Sequence, residues 1–80
     1  MAALEDVIAA NVRGHRARLK LTQRQLGERL GMAGDTVSDI ETGRRTIAAN
    51  DLPRLCAALD ITFAELVQRA EPGDLRALGL

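Results

Sequence analysis

Eighty residues suffice for one small domain, and 11 basic and 11 acidic residues leave it without net charge. Phe63 is the only aromatic residue although 46% of the chain is apolar, which favours an aliphatic core of packed helices over a β-sandwich. The single cysteine, Cys56, excludes an internal disulfide, the first residues are acidic where a signal peptide would be basic, and no apolar run could span a bilayer. We therefore expect an all-α, cytoplasmic protein.

The charges are unevenly distributed along the chain. Residues 13–29 carry Glu28 as their only acid, whereas residues 46–80 carry more acids than bases. The basic residues of the first segment are Arg13, Arg16, Arg18, Lys20, Arg24 and Arg29. This asymmetry predicts one basic and one acidic face; a set of ordinary solvated helix surfaces is the alternative.

The first two helices follow from apolar spacing and capping signals. Apolar residues recur at helical spacing over Leu4–Leu19, and Gly14 in that helix indicates close packing at its position. Thr22 and Gln25 have the spacing of a capping box, which predicts that a second helix begins after Thr22 and runs to about Leu30. Gly31 then suits a left-handed helix end. A third helix is predicted over roughly residues 34–42, ending at Gly43.

Two further helices and a tail are predicted beyond the loop at residues 46–50. Asn50 can cap a fourth helix that tolerates Pro53 in its first turn. Thr62 and Glu65 form a second capping-box pattern for a fifth helix through about Arg69. Residues 71–74, Glu-Pro-Gly-Asp, are predicted to stop that helix, and residues 75–80 to form either a last helical turn or a tail.

These elements resemble the phage-repressor/Xre helix-turn-helix family. The resemblance spans roughly residues 12–68 and is carried, in order, by Thr22–Gln23, Leu26–Gly31, Val37–Arg45 and Leu59–Leu66. It implies a compact five-helix, lambda-repressor-like domain over residues 1–70, whose second and third helices form the helix-turn-helix. Residues 71–80 would add a short sixth helix or a tail that contacts a second subunit.

The resemblance also implies which residues meet the DNA backbone. Gln23, at the start of the second helix, would contact a phosphate beside that helix's free N–H groups. Arg44 and Arg45, after the third helix, would contact further phosphates, and Arg24 and Thr42 are additional candidates. A structural pair between Arg16 on the first helix and Glu41 on the third would tie the two helices together.

The family's base-reading positions are occupied here by Gly34, Asp35, Thr36 and Asp39. Gly34 has no side chain, the two carboxylates are repelled by phosphates but can accept from the cytosine amino group, and Thr36 can bond a base edge or pack on a thymine methyl. Ala33 stands where the family prefers a Ser or Thr cap. Asp35 therefore has two interpretations, as cap of the third helix or as a base reader.

The motif set and the basic segment favour a sequence-specific transcription regulator that binds double-stranded DNA, with repression as the expected activity. The family resemblance implies that it binds as a homodimer on a near-palindromic operator. We expect a protein that is encoded by a bacterium or a phage and that associates with the nucleoid. The alternative is an antitoxin-like or adaptor module whose main partner is a toxin or another regulator. His15 and Cys56 have no partners that would make a catalytic or metal site, so we expect neither an enzyme nor a cofactor or metal.

Overall fold

The computed structural model describes residues 3–80, and these contain helices and no strand. The all-α fold predicted from composition is confirmed. A short 3-10 turn, Ala49–Asp51, leads into the fourth helix. The α-helices are α1 Leu4–Arg18, α2 Gln23–Leu30, α3 Gly34–Glu41, α4 Leu52–Leu59, α5 Phe63–Leu66 and α6 Pro72–Ala77.

The core is aliphatic and lies between α1, the helix-turn-helix of α2 and α3, and α4 with α5. Its fully buried side chains are Val12, Leu26, Leu30, Val37, Leu55, Leu59, Leu66 and Val67. Burial of each such leucine is worth about 1.5–3 kcal/mol relative to exposure. A smaller cluster of Val7, Val67 and Ala70 is covered in part by Leu75, which places α6 on the α1–α5 side of the molecule. The apolar faces of α2 and α3 are thus buried by helices outside the helix-turn-helix.

The α2–α3 turn depends on the absence of side chains at two glycines. Gly31 ends α2 in the left-handed conformation, with φ of 68°, as its position predicts. A Cβ on Gly27 would stand 2.5 Å from the Met32 carbonyl oxygen, because the chain folds back directly over α2. The Met32 N–H donates to the Gly27 carbonyl at 2.8 Å, which closes the turn.

Both predicted capping boxes are present. The Thr22 hydroxyl accepts from the Gln25 N–H, and the Gln25 side chain accepts from the Thr22 N–H. Thr62 and Glu65 make the same reciprocal pair at the start of α5. The Glu65 carboxylate accepts hydrogen bonds from Thr62, and these bonds lower its pKa below the ordinary value. The nearby charges of His15 and Arg18 lower the pKa further by a smaller amount. These local patterns fold as the sequence predicts because each needs only residues three apart.

The fifth helix is shorter than predicted. It ends at Leu66 rather than near Arg69, whose φ of 77° is incompatible with an α-helix. The Asn11 amide on α1 donates to the carbonyls of Leu66 at 2.7 Å and Gln68 at 2.8 Å. A side chain 55 positions earlier in the sequence thus satisfies carbonyl groups that a longer helix would have paired internally.

Two other local predictions are wrong, and a third is incomplete. Asn50 does not cap α4, because it lies inside the 3-10 turn; Asp51 directly precedes the helix and makes no side-chain cap, and the Ala49 carbonyl accepts from the Leu52 N–H. Residues 71–74 separate α5 from α6 but are not only a stop, since Pro72 is the first residue of α6, where its fixed φ suits a helix start. Gly14 is not a point of close packing: a Cβ there would meet nothing within 4 Å.

Candidate DNA interface

A buried ion pair joins α1 to the end of α3. Glu41 is only 4% exposed, and both of its carboxylate oxygens accept from Arg16, at 2.6 Å from Nε and 3.0 Å from Nη2. Arg16 also donates through Nη1 to the Leu21 carbonyl at 2.7 Å, just before α2. Its hydrogen bonds to Glu41 raise the pKa of Arg16 above its ordinary value. The pair that the family resemblance implied is therefore present, and it also fixes the α1–α2 connection.

Gln23 is the first residue of α2 and lies beside that ion pair. Its side chain is half-buried, and Nε2 donates to Glu41 Oε1 at 3.2 Å. The capping box uses the N–H groups of Thr22 and Gln25, so within residues 3–80 the backbone N–H groups of Gln23 and Arg24 have no acceptor. These two N–H groups, at the positive end of the α2 dipole, are suited to an anionic oxygen.

Arg24 points into solvent on the outer side of α2. Its side chain is 87% exposed and lies 3.8 Å from the Glu28 carboxylate one turn further along. An exposed ion pair at that distance restrains the guanidinium only weakly, so Arg24 remains free to reach a phosphate.

The turn after α3 presents two arginines. Gly43 takes φ of 77°, and the Asp39 carbonyl accepts from the N–H groups of both Arg44, at 2.8 Å, and Arg45, at 3.1 Å. The backbone is therefore fixed while both guanidinium groups are exposed. The Thr42 hydroxyl donates back to the Ser38 carbonyl at 3.0 Å, so its hydrogen is already in use.

The four base-reading candidates occupy the first turn and a half of α3. Asp35 is exposed, and the other three are half-buried. The interpretation of Asp35 as helix cap is wrong: α3 begins at Gly34 after Ala33, without a side-chain cap, and Asp35 lies inside the first turn. Gly34 has a packing role, since a Cβ there would stand 3.3 Å from the Arg24 Cα.

Two arginines of the basic segment, Arg16 and Arg29, make structural contacts within the chain, as does Arg54 on α4. Arg29 donates to the Ala58 carbonyl at the end of α4, at 3.0 Å, and Arg54 donates to the Leu30 carbonyl at the end of α2, at 3.3 Å. Only Arg16, bound to the buried Glu41, has its charge compensated, whereas Arg29 and Arg54 stay exposed and charged with part of the side chain tied to a neighbouring helix end. An arginine near a helix end is a weak signal for such a contact, because its partner is distant in the chain.

The remaining chemistry-bearing residues form no site. Cys56 is half-buried against the core cluster, and burial raises the pKa of its thiol. Residues 3–80 contain no group of His, Cys, Asp or Glu side chains arranged to hold a metal ion. Over the same residues, no helix is both long and apolar enough to cross a membrane.

The family model for the helix-turn-helix domain matches residues 7–70, and the chain belongs to that family. Among solved structures, it is similar to the clp gene regulator ClgR from Corynebacterium glutamicum, with a TM-score of 0.80 and 26% identity over 98% of this chain and 82% of the other. A hypothetical transcription factor, NHTF, from Neisseria matches with a TM-score of 0.76 and 28% identity over 95% and 85%. The P22 c2 repressor, solved with a synthetic operator, has the same fold, with a TM-score of 0.70 and 24% identity over 76% and 92%.

No curated protein sequence matches the chain. The family and the fold nevertheless confirm the resemblance to repressor-type helix-turn-helix proteins. Together they define a DNA-binding protein of the transcription-regulator class.

Proposed function

We propose that this protein is a sequence-specific transcription regulator that inserts α3 into the major groove and holds the DNA backbone at both sides of that helix. The observation that carries this proposal is the hydrogen bond between Gln23 and Glu41. It brings the start of α2, with its two unpaired N–H groups, next to the end of α3, where Arg44 and Arg45 are exposed. Three phosphate-contact candidates thus flank α3, the arrangement a helix-turn-helix needs.

Base recognition in this proposal falls to Asp35, Thr36 and Asp39. Their side chains make no hydrogen bond within residues 3–80, so they are available to base edges. The carboxylates would accept from cytosine N4 and the threonine would contact thymine or a base edge. Gly34 has no side chain with which to contact a base, and would instead allow the start of α3 to approach the DNA closely. A protein seated there excludes others from the same stretch of groove, which makes repression the expected outcome.

The test is a fluorescence-anisotropy titration against duplexes recovered by unbiased binding-site selection. The double variant Arg44→Ala/Arg45→Ala should weaken binding to every sequence, by roughly 10-fold for each arginine at low salt, because each loses a charge-assisted hydrogen bond. The slope of log affinity against log salt should fall by about 1 for each arginine removed.

Arg76→Ala serves as the matched control, because it removes one exposed arginine from α6, outside the proposed interface. It should leave the salt slope near that of the parent chain. Unchanged affinity in the Arg44→Ala/Arg45→Ala variant would contradict the assignment.

We also propose that the regulator binds as a homodimer on a near-palindromic site. An open apolar groove of about 440 Å³ lies between the start of α1, residues 45–49 and α4, with Leu78 at its edge. Leu78 and Leu80 are 43% and 52% exposed. A second copy of the chain, related by a two-fold axis, would cover this groove and both leucines.

The groove also supports a second candidate function, an antitoxin-like or adaptor module in which another protein replaces the second copy. The mass of the purified chain, free and bound to a selected duplex, separates the two. Two copies per duplex with a palindromic motif support the homodimer. A monomer that selects no motif would favour the protein-partner function.

A further inference from the structure

The Glu41 carboxylate is shared between a scaffold contact and an interface contact. Oε2 accepts from Arg16 alone, whereas Oε1 accepts from both Arg16 Nη2 at 3.0 Å and Gln23 Nε2 at 3.2 Å. Glu41 is the one charged residue that is buried in residues 3–80. The ion pair with Arg16 alone would be enough to connect α1 with α3, so the bond to Gln23 calls for a separate explanation.

We propose that Glu41 is a positioning residue for the phosphate contact of Gln23, and that it sets the orientation of this side chain before DNA arrives. The inference rests on the proposed function and assigns a role to a residue that does not touch DNA itself. A glutamine at a helix start has three side-chain torsions to order on binding, and a bond made beforehand removes part of that entropy cost.

The hydrogen-bond chemistry of the amide allows both contacts at once. The Gln23 amide nitrogen carries two hydrogens, and Glu41 takes one of them. The second hydrogen and the Gln23 backbone N–H, which has no acceptor within residues 3–80, can both be donated to one phosphate oxygen. Glu41 therefore orients the donor without consuming it.

Arg16 makes this arrangement compatible with an anionic partner. An isolated carboxylate next to a phosphate would repel it, but the bidentate guanidinium compensates the charge of Glu41 in place. The side chain that holds α1 against α3 thus also makes a buried acid tolerable beside the DNA backbone.

The experiment is a double-mutant cycle on DNA affinity with Glu41→Asp and Gln23→Ala, using a random-sequence 20-bp duplex at low salt. Glu41→Asp withdraws the carboxylate by one methylene, and the Arg16 side chain is longer than that of Gln23, so it is better able to follow the carboxylate. Affinity should fall roughly 3- to 10-fold in the parent chain, the range of one hydrogen bond, and by less than twofold in the Gln23→Ala background. Losses that multiply independently would overturn the inference.

Val67→Ala is the control for stability, because it opens the buried α1–α5 cluster without touching α3. It should lower Tm and leave the DNA affinity, measured below Tm, unchanged. This control shows that a loss of stability does not by itself weaken DNA binding, so a weaker affinity of the Glu41→Asp variant can be assigned to the lost contact with Gln23. A parent chain that binds no duplex would remove the proposed function and this inference together. Parent binding that depends on Arg44 and Arg45, with additive losses at Gln23 and Glu41, would remove the inference alone.

A second measurement uses the unmutated chain, so that it does not depend on a variant that folds. In ¹⁵N–¹H spectra, one of the two Gln23 side-chain amide protons should exchange slowly with water in the free protein, because Glu41 holds it. When the same 20-bp duplex is added, that proton should stay protected while the other shifts. Equal, fast exchange of both protons in the free protein, or loss of the protection on binding, would overturn the inference.

Discussion

The inner and outer faces of the helix-turn-helix each contain an ion pair, and the two pairs differ in almost every physical respect. Arg16 and Glu41, on the inner side, meet at 2.6 Å with side chains 17% and 2% exposed. Arg24 and Glu28, on the outer side of α2, lie 3.8 Å apart and are 87% and 68% exposed. The inner pair has two further hydrogen-bond partners, the Leu21 carbonyl before α2 and the Gln23 amide on α2, and the side chains of the outer pair have none within residues 3–80.

The same division holds for the rest of α2 and α3. Leu26, Gly27 and Val37 face inward and are buried, whereas the Asp35 and Asp39 carboxylates have no hydrogen-bond or ion-pair partner within residues 3–80. Residues that define the fold are thus constrained by contacts inside the chain. Residues proposed to recognise DNA are left free, because their partners belong to another molecule. Substitutions on the two faces should therefore act on different quantities.

The largest effect is expected from Gly27→Ala, which breaks the inner face at its tightest point. The new Cβ would stand 2.5 Å from the Met32 carbonyl oxygen and 3.2 Å from the Ala33 carbonyl carbon, both backbone atoms that cannot rotate away. We expect the free energy of unfolding to fall by about 1–3 kcal/mol, measured by urea denaturation.

Gly14→Ala is the matched control, because the same methyl group is added to a helix interior with open space around it. It should raise stability by about 0.5–1 kcal/mol through the lower entropy of the unfolded chain. Effects of the same sign at both glycines would show that the α2–α3 turn is not as tightly closed as its geometry indicates.

The sequence predicted the inner face well where the signal is local, and less well where it is not. The capping boxes of Thr22 and Thr62 depend on residues three positions apart, and both are present. The contact between Asn11 and Leu66 joins residues 55 positions apart, and no periodic sequence pattern predicts a contact of that kind. The end of α5 was misplaced for this reason.

Gly14 was misinterpreted for a related reason: a glycine in a helical pattern has the same sequence signature whether a neighbour lies against it or not. For the outer face, the sequence predicts the positions of the recognition residues but not the bases that they recognise. The family resemblance predicts which residues of α3 face the groove, but the bases that Asp35, Thr36 and Asp39 prefer depend on a partner outside the chain. The carboxylates favour cytosine and the threonine favours thymine, but the side-chain chemistry alone does not define the operator sequence.

A smaller effect, on a different quantity, is expected from Asp39→Asn on the outer face. Asp39 is in the last turn of α3, where a negative charge opposes the helix dipole, so its neutralisation should leave the free energy of unfolding unchanged or slightly higher. Binding-site selection should lose a cytosine preference worth about 1–3 kcal/mol at one position per half-site.

Asp60→Asn, at the exposed left-handed end of α4, removes the same charge outside the interface. It should leave the selected motif unchanged. A motif that is identical for the Asp39→Asn variant and the parent chain would exclude Asp39 from base recognition.

The smallest effect on stability and on DNA affinity is expected from Glu28→Gln, which removes the ion pair between Arg24 and Glu28. Because the pair is exposed and long, its loss should change the free energy of unfolding by less than about 0.5 kcal/mol in urea denaturation. The freed Arg24 guanidinium, and the removal of one negative charge beside α3, should strengthen binding to random-sequence duplex roughly twofold at 50 mM salt. The gain should disappear near 0.3 M salt, where exposed charges are screened, and Asp60→Asn should not reproduce it. A loss of stability as large as that of Gly27→Ala would mean that the outer pair supports the fold, and the division between the two faces would not hold.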